Sequence, residues 1–148
     1  MGISSFIKSL LPSKSSAPAE TNTFDVEQFI YVKIPGDIGP MDRGDLFEDQ
    51  IEPVLAEKNL GTISGGGSSL GDERPDGSRR ISFCGIDIDT TSRDDALVVL
   101  RDLLPTLNTP VGTELHYTKN GQKLQDELVA EGWLLERPRV FDHPGFGV

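Results

Sequence analysis

The chain has 148 residues, 36% hydrophobic and 26% charged, with fourteen Lys and Arg against twenty-four Asp and Glu, a net charge of −10. That length accommodates one domain with its own core but not two ordinary ones. An acidic body is repelled by the phosphates from which DNA binding draws its affinity, so DNA is excluded as a partner and a basic protein surface is favoured.

No apolar run approaches the roughly eighteen residues of a membrane-spanning helix. The opening MGISSFIKSLL is broken by serines and Lys8 and has no small-residue cleavage site, which argues against a secretory signal. A lone Cys84 excludes an internal disulfide framework and fits a reducing, cytoplasmic compartment. Residues 1–24 hold Lys8 and Lys14 against Glu20, so residues 25–148 carry −11.

In chain order, Ile3, Phe6, Ile7, Leu10 and Leu11 fall on one helical face and predict an amphipathic helix over residues 1–11. That face suits folding back, self-association or docking on a partner. Contact with a membrane surface is the second reading, because Lys8 and Lys14 supply little charge for anionic lipid. Residues 12–24, rich in Ser, Ala, Pro and Thr, read as a linker, and residues 25–148 as a single domain.

EQFIYVKIP reads as a strand with Ile30, Val32 and Ile34 on one face and Phe29, Tyr31 and Lys33 on the other. Leu46, Phe47, Ile51, Val54 and Leu55 form a helical stripe, capped by Asp42 or Asp45 and kinked or split at Pro53. GTISGGGSSLG is a glycine-weakened strand and DERPDGS a hairpin loop. RRISFCGIDIDTT is the strongest strand. Its apolar phase changes at Cys84–Gly85, which requires either a bulge there or a central strand with Phe83 on the open face. Ser92 heads a helix over RDDALVVLRDLLPTL that ends at Pro105 and the NTPVG turn. TELHYT is a strand, Asn120-Gly121 a turn, KLQDELVAEGW a short helix stopped by Gly132, and RPRVFDHPGFGV irregular. The resulting fold class is α+β: a ferredoxin-like βαββαβ unit, a four-stranded antiparallel sheet with two helices on one face, plus a short C-terminal helix.

Several stretches have the residue types of a site. IYVKIP resembles the first-strand motif of RNA-recognition domains, which implies base stacking by Tyr31, with Phe83 as second aromatic. The third strand, SRRISFCGID, lacks that family's Gly-aromatic-Gly-aromatic core. Phe29, Tyr31 and Phe83 also read as an aromatic patch on the open sheet face, a contact surface for a protein or for the C-terminal tail. SGGGSSLG lacks the lysine of a phosphate loop and runs into acidic sequence. Its glycines suit the close approach of another chain's backbone instead. Asp87 and Asp89 point the same way from one strand. They form a carboxylate pair suited to a partner's Arg or Lys, or to hard-metal chemistry in an enzymatic alternative, although the calcium-loop glycine is missing. Cys84 reads as a buried thiol. No Ser-His-Asp order or His pair at ligand spacing is present, so neither a catalytic residue, a metal ligand set nor a cofactor is assigned.

From Gly61 to Tyr117, the pieces GTISGGGSSLG, FCGIDID and DDALVVLRDLLPTLNTPVGTELHY together resemble small acidic ferredoxin-like bacterial proteins of the toxin-immunity type. The resemblance implies a non-enzymatic inhibitor with a basic partner such as a toxin domain. The candidate partner-binding residues are Asp72, Glu73, Asp76, Asp87 and Asp89 for charge, Gly65, Gly66 and Gly67 at the strand edge, and Phe29 and Tyr31 on the sheet face. The alternatives are a single-stranded RNA binder and a carboxylate- or metal-dependent enzyme.

Overall fold

The computed structural model describes residues 24–147. The expected helix over 1–11, and the expected linker apart from Phe24, lie outside the described residues.

Strand β1 (Phe29–Pro35) leads into a helical segment made of α1 (Pro40–Arg43), a π-helical turn (Gly44–Glu48) and α2 (Asp49–Glu57). A long ribbon follows, β2 (Gly61–Glu73) and β3 (Arg79–Thr90), then α3 (Arg93–Thr106) and three short strands, β4 (Glu114–Lys119), β5 (Gln122–Val129) and β6 (Gly132–Pro138). All six strands form one antiparallel sheet in the order β2-β3-β1-β4-β5-β6. The expected four-stranded ferredoxin-like βαββαβ sheet with a C-terminal helix is therefore overturned.

The overturned part is KLQDELVAEGW. Asn120 and Gly121 both adopt positive φ, the geometry of a tight hairpin turn, and fold β5 straight back along β4. Alternate residues Leu124, Asp126 and Leu128 then turn inward. Asp126 is fully buried, where it accepts the Tyr117 hydroxyl at 2.7 Å and the Arg101 Nε at 2.8 Å. A helix would break this network, leaving an unpaired buried charge.

Proline shapes both helical segments. The π turn closes on Asp49, the residue whose carbonyl Pro53 leaves without its usual amide partner. The segment starts at Pro40 behind Gly39, ahead of the expected caps Asp42 and Asp45. Ser92 occupies the position before α3, but its hydroxyl donates to Asp95; the amide of Arg93 is met by the Gln28 side chain at 2.8 Å.

One core gathers Ile30, Val32 and Ile34 of β1, Cys84, Ile86 and Ile88 of β3, Phe47, Ile51 and Leu55 of the first helical segment, and Leu97, Leu100 and Leu104 of α3. Pairing of β1 with β3 runs without a shift from Phe29↔Asp89 to Pro35↔Phe83, so Cys84–Gly85 holds no bulge and Phe83 lies on the opposite face. On that face Phe29, Tyr31 and Phe146 form a second cluster with Val26 and Phe141. The C-terminal residues Arg139–Gly147 thus cover the side of β1 turned away from the helices. No helix among the described residues is long and apolar enough to cross a membrane.

Candidate functional site

The chemistry-bearing side chains collect in two places: under the C-terminal segment and along the outer strand β2. Beneath the segment, the Tyr31 ring lies 4.1 Å from that of His143 and stacks on Phe141 at 5.9 Å, centroid to centroid. It also lies across Gly85, where an added Cβ would fall inside the ring, which explains a glycine at the centre of β3. Burial, and then the charge of Asp87, push the Tyr31 hydroxyl up to about 12. His143 Nδ1 accepts the amide of Gly145 at 2.8 Å, so the ring proton sits on Nε2, which faces Asp87 Oδ1 at 3.2 Å. Burial raises the Asp87 carboxyl despite the opposing pull of His143.

His116, fully buried on β4, bonds Glu114 Oε1 through Nε2 at 2.8 Å while its Nδ1 has no partner among the described residues. Burial lowers the imidazole below its ordinary value even though Glu114 pulls it up. Arg139 fixes the start of the covering segment. Its guanidinium donates to the carbonyls of Leu124, Phe141 and Tyr117 and to the Thr118 hydroxyl, and lies 3.9 Å from the Phe146 ring centroid.

The second place is the sheet edge. Strand β2 has β3 on one side and, among the described residues, no strand on the other. Its ladder shifts between Ile63 and Gly65 and again after Ser69, which leaves Gly65–Ser69 as an uninterrupted run. Next to the first shift, Glu52 of α2 accepts the Ile63 amide at 2.8 Å; near the second, Arg79 donates to the Gly71 carbonyl at 2.7 Å. Gly65 and Gly67 pair with Asp87 and Gly85 and share their face, so this part of the sheet has a floor with almost no side chains. On the other face the Arg43–Glu48 pair, 2.7 Å apart, lies over Gly66.

The expected binding residues therefore do not form one rim. Asp72 and Glu73 end β2 and Asp76 lies in the hairpin turn, all exposed. Glu73 pairs with Arg79, eight positions along β3 from Asp87, a separation of about 26 Å at strand rise. Arg74, Arg79 and Arg80 dilute the acidic charge of that tip, and Arg74 is bound to Asp37. Asp87 and Asp89 remain near the glycine run, Asp89 exposed. Phe29 and Tyr31 are covered, at 3% and 5% exposure, so neither presents a ring to a base in this arrangement. Among the described residues no three His, Cys, Asp or Glu side chains converge as a metal-ligand group.

Sequence reasoning passed over the acidic helical segment. Residues 40–57 contain Asp42, Asp45, Glu48, Asp49, Glu52 and Glu57 against Arg43 alone, and Arg43 is already held by Glu48. The charge count of that window was the available signal. Asp42, Asp45 and Asp49 are exposed beside the exposed Met41 and Leu46, on a segment that meets β2 through Arg43, Glu48 and Glu52.

Comparison with protein-family models, with curated proteins and with solved structures finds no match in any of the three.

Proposed function

We propose that the chain is a non-enzymatic protein-binding module that covers a basic surface of its partner, in its most concrete form an immunity-type inhibitor of a toxin domain in the cytoplasm. The supporting observation is the charge around the β2 edge. The helical segment that holds the exposed Asp42, Asp45 and Asp49 lies against β2 on one face, Asp87 and Asp89 stand on the other, and Arg43, the cation over Gly66, is already paired. Carboxylates so placed take cationic residues that the partner would use for its own substrate, and the body of the domain then occludes that surface.

Steering by a net charge of −10 makes such an association fast at low salt and slow at high salt. The test is affinity capture by the tagged full chain from native lysate at low and high salt, read by mass spectrometry. Alongside it runs a variant with Asp42, Asp45 and Asp49 changed to Lys. One stoichiometric basic protein, lost at high salt and lost with the variant, is the expected result. Recovery of RNA, or of the bait alone, refutes the reading.

A further inference from the structure

We propose that β2 takes up an extended segment of the partner as an added strand along Gly65–Ser69, with an Arg or Lys of that segment lying over Gly65 and Gly67 and reaching the carboxylate of Asp87. This rests on the reading of a basic protein partner and specifies how that partner is held.

Exposed sheet edges are ordinarily blunted by bulges, charges or prolines, because free amides and carbonyls invite another strand. The two flanks of β2 are blunted in this way. Its ladder is irregular on both sides of Gly65–Ser69, and the backbone groups of Ile63 and Gly71 are taken by Glu52 and Arg79. Between them the ladder is regular for the length of a short strand, contains no proline or charged residue, and is unpaired on its outer side among the described residues. Edge addition there draws on main-chain bonds for affinity and on alternate side chains for selectivity.

The side chains of an added strand alternate between the two faces, about 5 Å from β2. On the side shared with Asp87 they meet glycines. A Cβ on Gly67 would find nothing within 4 Å, and one on Gly65 would meet Asp87 Oδ2 at 3.2 Å. The carboxylate therefore leans over the glycine floor toward the edge, within reach of a long cationic side chain crossing one strand width. On the opposite side the strand would run beside the Arg43–Glu48 pair, in which the one cation is already neutralised, and the acidic helical segment behind it. Charge selects the occupant. A second copy would bring another chain of net −10 and, at this run, only glycine and serine to meet Asp87, whereas a basic segment neutralises it.

The experiment uses the ¹⁵N-labelled full chain titrated with a synthetic nonapeptide of alternating threonine and arginine, and with its threonine–glutamate counterpart. The arginine peptide is expected to shift and protect the Gly65–Ser69 amides, and the glutamate peptide to leave them unchanged. Gly67→Lys is the test variant, since the site has room for a side chain and its backbone lies outside the left-handed region. This variant keeps the fold, places its own cation on the floor, and is expected to weaken the arginine peptide at least tenfold; Asp87→Asn weakens it as well. Three results overturn the proposal: no shift up to millimolar peptide, equal binding by Gly67→Lys, or wild-type self-association through β2 that Gly67→Lys abolishes. If Gly67→Lys still captures a basic protein in a salt-sensitive way, the strand-addition proposal fails while the basic-partner reading stands.

Discussion

Trp133 donates its indole N–H to the carbonyl of Arg101 at 2.9 Å, across the gap between β6 and α3. In an uninterrupted helix that carbonyl accepts the amide four residues on, but position 105 is proline and has none. A side chain from the last strand thus completes the hydrogen bonding of a helix more than thirty residues earlier in the chain, and ties the C-terminal hairpin to the core.

Trp133→Phe keeps most of the ring packing but leaves the Arg101 carbonyl unmet, at a cost of about 1–3 kcal/mol. Pro105→Ala returns an amide to that carbonyl. In its background Trp133→Phe is expected to cost about 1 kcal/mol less. Urea denaturation of the two single variants and the double variant measures the difference, and equal costs in both backgrounds would refute the compensation.

Gly85→Ala places a methyl inside the space of the Tyr31 ring, and the expected loss is about 1–3 kcal/mol from overpacking. Tyr31→Ala empties that space, so adding Gly85→Ala to it is expected to cost little. Gly67→Ala, with open space around the new methyl, is the control and stays within about 0.5 kcal/mol of wild type. A Gly85→Ala protein as stable as the control would mean that the ring does not need the glycine.

His116 gives acid sensitivity a definite sign. Burial holds its folded-state pKa below the ordinary 6.5, so as pH falls through that value the unfolded chain takes up a proton that the folded one resists. The contribution is fully present above 6.5 and is lost below it, toward the depressed folded value. The slope reaches at most about 1.4 kcal/mol per pH unit for one proton. His116→Gln removes this titration and is expected to flatten the fall in urea midpoint on the acid side of neutrality. Glu114, held below its ordinary value by its hydrogen bond from His116, acts in a lower window: its contribution is present above 4.5 and lost below. Asp87, raised by burial, works in the opposite direction near the same range. An unchanged slope in His116→Gln would assign the acid sensitivity elsewhere.

Much of the layout is legible from residue patterns, and the failures have physical causes. β1, β3 and α3 stand out because the two strands are runs of β-branched and aromatic residues bounded by turn signals and α3 has a long apolar stripe. β5 does not, since Leu, Gln, Glu and Lys are helix formers; the Asn120-Gly121 turn and the buried bonds of Asp126 overrule them. The covering of the second sheet face had a signal in β1 itself. Phe29 and Tyr31 make its other face apolar as well, the mark of a strand covered on both sides. The C-terminal tail is one of the two covers expected for that patch, but which of its rings pack there was not legible, because Phe141 and Phe146 lie in a Pro- and Gly-containing stretch without period. The same limit hid the site. Glu52 and Arg79 blunt the flanks of β2 across separations of eleven and eight residues that no local motif encodes.

Arg139 carries the last prediction, because the covering of that face depends on it. It is 4% exposed, and its contacts are carbonyls, a hydroxyl and the face of Phe146. Burial pulls its pKa down, yet an arginine so high in its range stays charged. A lysine keeps the charge but lacks the planar fork that reaches Leu124, Phe141, Tyr117 and Thr118 together, so Arg139→Lys is expected to lose about 2–3 kcal/mol of the segment's attachment. The loss should be local. The amides of Gly145 and Phe146, bonded to His143 Nδ1 and the His143 carbonyl, should exchange faster, while those in the centre of β1 keep their protection. Equal acceleration at Phe146 and in β1 would mean that the segment opens only with the whole domain. Acceleration confined to residues 139–147 would make it a cover that lifts from Phe29 and Tyr31 while the sheet beneath stays intact.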